Sequence, residues 1–285
     1  MFAGGAGMSD AMVIGGSQGG TRQLTCEEYN GSSWAAGGSL AEASQGGSAV
    51  GDTLNARYVN GYTIVPAPYP NSNDNDEYNG TSWSADTVCP TTTNNVNMSH
   101  VGTGDLCRFG GGHTNGTGNA TRNDEWNGTT WSTAATQALS DNIQTNGTQD
   151  DMFAIDGGTG TYEFNGTSWA AWLTVNVNRK YAGGAGGTAS ANSCGGRTVG
   201  EKDTTSICDG VSWSAGATML NENANTPTAA SPDVSLSMMV CGGIDPSDES
   251  DLSSVQELVE GVFIARTALG TGRQNCGCAG ISLSP

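Results

Sequence analysis

Glu28-Tyr29-Asn30-Gly31-Ser32-Ser33-Trp34 is one of five near copies of a seven-residue unit; the others are Glu77 to Trp83, Glu125 to Trp131, Glu163 to Trp169 and the looser Ile207 to Trp213. A sixth segment, Leu258 to Ile264, keeps only its glycine, Gly261. The residues before the shared glycine stand at 30, 79, 127, 165, 209 and 260, so the unit returns every 38 to 51 residues. That is the length of one four-stranded propeller blade, and self-similarity at such a period outranks local propensity as a fold signal.

The Asn-Gly pair suits a two-residue type I′ hairpin, which needs positive φ at both central positions. Asn30-Gly31, Asn79-Gly80, Asn127-Gly128 and Asn165-Gly166 are therefore read as turns between two strands. In that register Tyr29 faces Ser32 and Glu28 faces Ser33, and the two-residue alternation puts Tyr29 and Trp34 on one face. Trp34, Trp83, Trp131, Trp169 and Trp213 are assigned to packing between blades rather than to binding. A Trp that buries about 150–250 Å² contributes ~4–6 kcal/mol at about 25 cal/mol per Å², an upper figure because the unfolded chain is itself partly collapsed.

Two further elements recur. Apolar stretches ending in paired glycines precede the aromatic units, as in Val13-Ile14-Gly15-Gly16, Ile155-Asp156-Gly157-Gly158 and Val240-Cys241-Gly242-Gly243; the second unit departs, with Thr63-Ile64-Val65-Pro66. Small-residue stretches, Phe2 to Gly7, Tyr181 to Gly186 and Asn275 to Gly280, suit innermost strands crowded around an axis. The expected order is a small inner strand, an apolar strand, a strand ending in an aromatic, and a Trp strand. The units run over about 1–39, 40–90, 91–138, 139–175, 176–220 and 221–270 of a single 1–285 domain. Residues 271–285 then hold one inner strand too many, and an unpaired edge is a template for another chain. This strand either closes the ring beside the first blade or adds to a neighbouring subunit, and deletion of 273–285 separates the two outcomes.

Composition agrees with an all-β chain. Among 285 residues there are 44 glycines and only 13% charged side chains, with little of the Leu, Lys, Glu and Arg that long helices favour. A formal net charge of −18 repels phosphate backbones and anionic membranes. No phosphate-binding Gly-x-x-x-x-Gly-Lys occurs, and the lysines are Lys180 and Lys202. Met1-Phe2-Ala3-Gly4 lacks the basic start and apolar core of a signal peptide, and the longest apolar run is Trp169 to Leu173.

The order of these elements resembles the kelch-type β-propeller, and the repeated Glu-Tyr-Asn-Gly-Thr-Ser-Trp unit resembles the repeat of structural proteins from cyanophages and other marine phages. The likeness covers nearly the whole chain. It implies about six four-stranded blades and a non-enzymatic place in a virion, as tail fibre, knob or capsid decoration, in an oligomer with other virion proteins. Binding of a host receptor or surface glycan goes with that location.

The alternative expectation is a carbohydrate-active enzyme using a propeller pocket. Gly80-Thr81-Ser82-Trp83 matches the second half of a sialidase Asp-box, but Tyr78 stands at its Asp position and the eight arginines are scattered. His100 and His113 are too few for an imidazole-rich copper site. Oxygen-rich Asn71 to Glu77 and the cluster Asp245, Asp248, Glu249 and Asp251 suit solvated loops, with calcium the alternative. Of the eight cysteines, Cys194 and Cys208 are the best disulfide candidates, although free thiols are favoured for most; Cys276 and Cys278 point to one strand face. Tyr58, Tyr62 and Tyr69, in an aromatic, proline-rich stretch, form the first candidate contact surface.

Overall fold

The computed structural model describes residues 8–59, 61, 72–90, 98–111, 113–114, 118–119, 123–133, 135–136, 144–198, 200–201, 203–225, 228–230, 238–245 and 247–282. Within these the chain forms six four-stranded antiparallel sheets and no helix. From the axis outward the first blade is Gly277–Ser282, Met8–Ile14, Cys26–Tyr29 and Trp34–Ala36. The second is Ser48–Gly51, Ala56–Val59, Asn75–Tyr78 and Trp83–Ala85, and the third is Met98–Gly102, Cys107–Gly111, Asn123–Trp126 and Trp131–Thr133. The fourth is Gln144–Gly147, Met152–Ile155, Thr161–Phe164 and Trp169–Ala171. Gly183–Gly187, Ser190–Cys194, Thr205–Cys208 and Trp213–Ala215 make the fifth, and Thr228–Ala230, Met238–Cys241, Val255–Val259 and Val262–Arg266 the sixth.

Each innermost strand touches the next around a closed circle, so the protein is a six-bladed β-propeller. Its last link is the C-terminal strand, which fills the inner place of the first blade and pairs antiparallel with Met8–Ile14. Ring closure is thus the outcome, not addition to a neighbour; the N-terminal copy, Phe2 to Gly7, lies outside the described residues. Small residues are needed at the axis because a Cβ on Gly277 would come 2.9 Å from that of Ala49, and one on Gly184 would strike Gln144 at 2.0 Å. Second strands such as Met152–Ile155 and Met238–Cys241 are buried throughout because neighbouring blades cover both faces, which is why their hydrophobic runs do not alternate.

Antiparallel order places the third-to-fourth turns of the blades, and the first-to-second turns of the second to fifth blades, on one face of the ring. The paired glycines lie on the other. There, among the described residues, three two-stranded ribbons extend the first, third and fifth blades: Ser17–Gln18 with Thr21–Arg22, His113–Thr114 with Gly118–Asn119, and Arg197–Thr198 with Gly200–Glu201. In the second blade the apolar strand is Ala56–Val59, and Gly61, at φ +101°, follows it much as Gly16, at φ +96°, follows the first-blade strand. Thr63 to Pro66, the stretch expected there, falls outside the described residues.

The Asn-Gly turns differ from expectation. Gly31, Gly80, Gly128 and Gly166 have φ of +85° to +90°, but none of the preceding asparagines has positive φ. Asn30 works through its side chain: Oδ1 accepts the N–H groups of Ser32 and Ser33 at 3.1 and 3.0 Å. The partners accordingly lie two residues beyond the expected register, with Tyr29 opposite Trp34 and Glu28 opposite Ala35. Tyr29 and Trp34 still share a face, their ring centroids 5.2 Å apart, as do Tyr78 and Trp83 at 5.0 Å. The two-residue type I′ turn does occur where the motif has decayed, between Val259 and Val262, with Glu260 at φ +50° and Gly261 at +81°.

Burial is also distributed differently. Tyr29, Tyr78, Trp126 and Phe164 are buried, whereas Trp34, Trp83, Trp131 and Trp169 are half-buried lids over them; Trp213 alone of the five motif tryptophans is buried. The indole N–H of Trp34 donates to the Thr267 carbonyl of the sixth blade at 3.0 Å, and that of Trp131 to Thr87 of the second at 2.9 Å. These tryptophans therefore clamp one blade to the preceding one, and the energy assigned to a fully buried Trp is too large for them.

All eight cysteines are buried free thiols. Cys194 and Cys208 are not bridged because Cys194 lies opposite Thr205, while Cys208 lies opposite Ala191. Their side chains leave the sheet on different faces, Cys194 towards Met238 and Cys208 towards Phe153 and Trp213. Cys276 and Cys278 do share a face, packing with Cys241 where the sixth blade meets the closing strand.

Candidate functional site

Among the described residues four arginines with at most 2% exposure sit inside the ring. Arg57 and Arg108 arise at equivalent positions of second strands, paired across to Glu77 and Glu125. Each reaches into the following blade: Arg57 lies 4.2 Å over the Trp126 ring and donates to the Gly104 carbonyl, and Arg108 lies 4.4 Å over Phe164 and donates to that of Gln149. Arg179 and Arg273 precede inner strands and donate to backbone carbonyls, Ser193, Gly195 and Thr204 for the former, Gly15 and Thr25 for the latter, which also meets Glu27. Arg57 and Arg108 thus hold adjacent blades together while Arg179 and Arg273 tie the segment entering a blade to that blade, so these buried guanidiniums form no exposed cluster for a substrate carboxylate.

Among the described residues a cleft of about 170 Å³ opens between the first and second blades, on the paired-glycine face. Its walls come from three segments: Ala41, Glu42 and Ser44 of the passage between the blades, Asp74 to Asp76 at the start of a third strand, and Ala85, Asp86 and Val88 at the end of the Trp strand. Tyr58 closes the floor.

Asp76 is the distinctive group. The same strand position holds Glu27 in the first blade and Asp124 in the third, as the pairings with Ala36, Ala85 and Thr133 show. Glu27 is neutralised by Arg273, and Asp124 accepts from the Thr133 hydroxyl. Among the described residues no cation or hydrogen-bond donor meets the Asp76 carboxyl. Burial, then the charges of Asp74 and Glu42, push its pKa up to about 6. Asp86, across the cleft, goes the other way: burial works to raise it, but the Arg57 guanidinium at 2.8 Å and the Thr87 amide outweigh that and hold it below the usual carboxylate range.

Since the folded value for Asp76 lies above the unfolded one, the native state takes up this proton first as pH falls. The charged carboxyl costs stability above about pH 6, and the cost is relieved as pH drops towards about 4. Asp76→Asn is therefore expected to stabilise the ring at neutral pH by about 1–2 kcal/mol, a figure discounted for solvent screening of a half-exposed group, with the gain gone by about pH 4. Urea denaturation at the two pH values reads this directly; an unchanged midpoint at neutral pH contradicts it.

Several expected site residues fall elsewhere. Tyr58 is not a contact residue: it is 2% exposed, and its hydroxyl donates to Ser44 Oγ and accepts from the Gly47 N–H. Tyr62 and Tyr69 lie outside the described residues. Trp34, Trp83, Trp131, Trp169 and Trp213, with the Asn-Gly turns, belong to the outer strands and the opposite face. In the Asp245 loop, Asp245 accepts from Ser247, Asp248 from the Ser250 N–H and Asp251 from the Gly19 N–H. These carboxylates bind the chain's own donors, and among the described residues no three His, Cys, Asp or Glu side chains converge as a metal-holding group. Neither loop supports the calcium reading. Residues that the sequence did not single out are Glu42, Ser44, Asp86 and Val88; Asp86 and Val88 follow the strand paired with Asn75–Tyr78, and Glu42 and Ser44 come from the passage between the blades.

The fold and cleft define a six-bladed β-propeller with an acidic inter-blade cleft. No protein-family model matches the chain, and no curated protein matches it either.

Proposed function

We propose that the protein is a non-enzymatic structural component of a phage particle, a tail fibre, knob or capsid decoration that presents one ring face to a host receptor or surface glycan. The observation that carries this reading is the two-sided, self-closed ring. One face is a repetitive set of short turns, and the other bears three ribbons and the cleft. Such a body can be anchored by one side and read by the other, and its high negative charge suits a protein rather than a nucleic-acid or membrane partner. Electron cryo-microscopy of purified particles, with the ring fitted as a rigid body, tests it. Density for the ring at tail or head supports the reading, and its absence from intact particles overturns it.

Asp76 favours a second reading, a carbohydrate-active enzyme. A carboxylic acid raised to about 6 near Asp86, whose carboxyl is held below the usual range, is the pattern of a general acid paired with a base or nucleophile. Reducing-sugar release from a panel of polysaccharides, lost in Asp76→Asn, would establish it. A panel without turnover by the wild type removes it.

A further inference from the structure

The four Asn-Gly turns share one arrangement. Oδ1 of Asn79 accepts from the Thr81 and Ser82 N–H groups at 3.1 and 3.0 Å. Asn127 accepts from Thr129 and Thr130 at 3.0 and 2.9 Å, and Asn165 from Thr167 and Ser168 at 3.1 and 3.0 Å. Asn30 adds the Ser32 hydroxyl at 2.9 Å. All four asparagines are exposed. The residue after each is glycine, and among the described residues no hydrogen bond occupies that glycine's N–H.

We propose that Asn30, Asn79, Asn127 and Asn165 are sites of spontaneous deamidation in the folded ring, and that the turn survives conversion to aspartate, so one face gains negative charge with age. The glycine nitrogen attacks the asparagine Cγ; its proton passes to Nδ2, the Cγ–Nδ2 bond breaks and ammonia leaves. Water then opens the cyclic imide. Overall, an amide and water become a carboxylate and ammonium. Two backbone N–H groups already aimed at Oδ1 stabilise the charge that develops on that oxygen when Cγ is attacked, which is the office of an oxyanion hole. A glycine at the attacking position removes the side chain that would block approach.

The product is already present once. Asp209 occupies the fifth copy, and its Oδ1 accepts from Val211 and Ser212 at 3.0 and 2.8 Å in the same turn. Those amides hold its carboxyl below the ordinary range, so the charged product is welcome there. The isoaspartate product is not equivalent, since it lengthens the backbone inside a turn packed against the adjacent loop.

The chain supplies its own control, Asn146-Gly147. It is the same dipeptide in an inner strand, where Asn146 pairs with Phe153 and no following amide caps its oxygen. The native full-length protein is incubated in mildly alkaline buffer and followed by peptide mapping that separates aspartate from isoaspartate. The turn asparagines are expected to convert at least about tenfold faster than Asn146, as two preplaced donors imply, and faster native than in urea. Conversion no faster than at Asn146, or acceleration by urea, overturns the proposal. Asn30→Asp is expected to leave the melting temperature near that of the wild type; a large fall overturns the claim that the turn survives.

Discussion

A chain ending at Cys276 is expected to show no cooperative unfolding transition. The removed segment, Gly277–Ser282 with the residues after it, is the innermost strand of the first blade although it is the last strand in sequence. Its loss strips the partners from one side of Met8–Ile14, whose residues Asp10 to Ile14 pair with Ile281 to Gly277 in unbroken register. Ala11, Met12, Val13 and Ile14, all at 0% exposure, would face the emptied axis. Each buried backbone group left unpaired costs about 1–3 kcal/mol. Several together match the roughly 5–15 kcal/mol by which a whole domain is stable. The inner strands Ser48–Gly51 and Thr228–Ala230 also lose the element between them, so the circle opens. Circular dichroism through a urea series measures the outcome, and a synthetic 277–285 peptide added in trans should restore the transition. A truncated chain with the wild-type midpoint would show that the ring does not depend on its closing strand.

The sequence showed the blade number, the strand order and the Tyr–Trp pairing face because each is a consequence of periodicity. Period sets the number of hairpins, and alternation sets which side chains share a face. The mode of the turn was hidden because asparagine makes turns in two ways, by tolerating positive φ or by lending its amide oxygen to following N–H groups. Asp209 held the clue. It keeps the acceptor oxygen, and it stands where the turn uses that oxygen, whereas Glu260-Gly261 is the pair with two positive φ values. Tyr58 was misplaced for a related reason: the second blade has no paired glycines, so its apolar strand was sought after the tyrosine rather than around it. The cleft was legible only in part: 74–76 and 85–88 meet through the third-to-fourth strand pairing of the second blade, but residues 41–44 reach them only through the packing of the passage between the blades. The buried arginines looked scattered along the chain because each serves a different place, Arg57 and Arg108 the seams to the following blades and Arg179 and Arg273 the entries to the fifth and first blades.

Arg57→Ala is the side-chain change expected to weaken the ring most, by about 3–5 kcal/mol, the cost of removing one partner from a buried charged network. Arg57 is 2% exposed, and its guanidinium meets Asn75 Oδ1 at 2.9 Å, Asp86 at 2.8 Å and the Gly104 carbonyl at 3.1 Å while lying over the Trp126 ring. Alanine would leave those acceptors without their donor and a void against Trp126, at the seam of the second and third blades. Arg57→Met keeps much of the packing and should lose less, which separates the charge from the volume. The pH dependence separates them further. Asp86 has its carboxyl held below the ordinary range, so the stability it draws from Arg57 is fully present above its unfolded value of about 4 and disappears as pH falls through the lower folded value. The gap between wild type and both variants should therefore narrow in acid, by the same amount for each, leaving the lost hydrogen bonds to Asn75 and Gly104 in both and the packing term in Arg57→Ala. Urea midpoints across that range supply the measurement, and a gap independent of pH would show that the Asp86 ion pair contributes nothing.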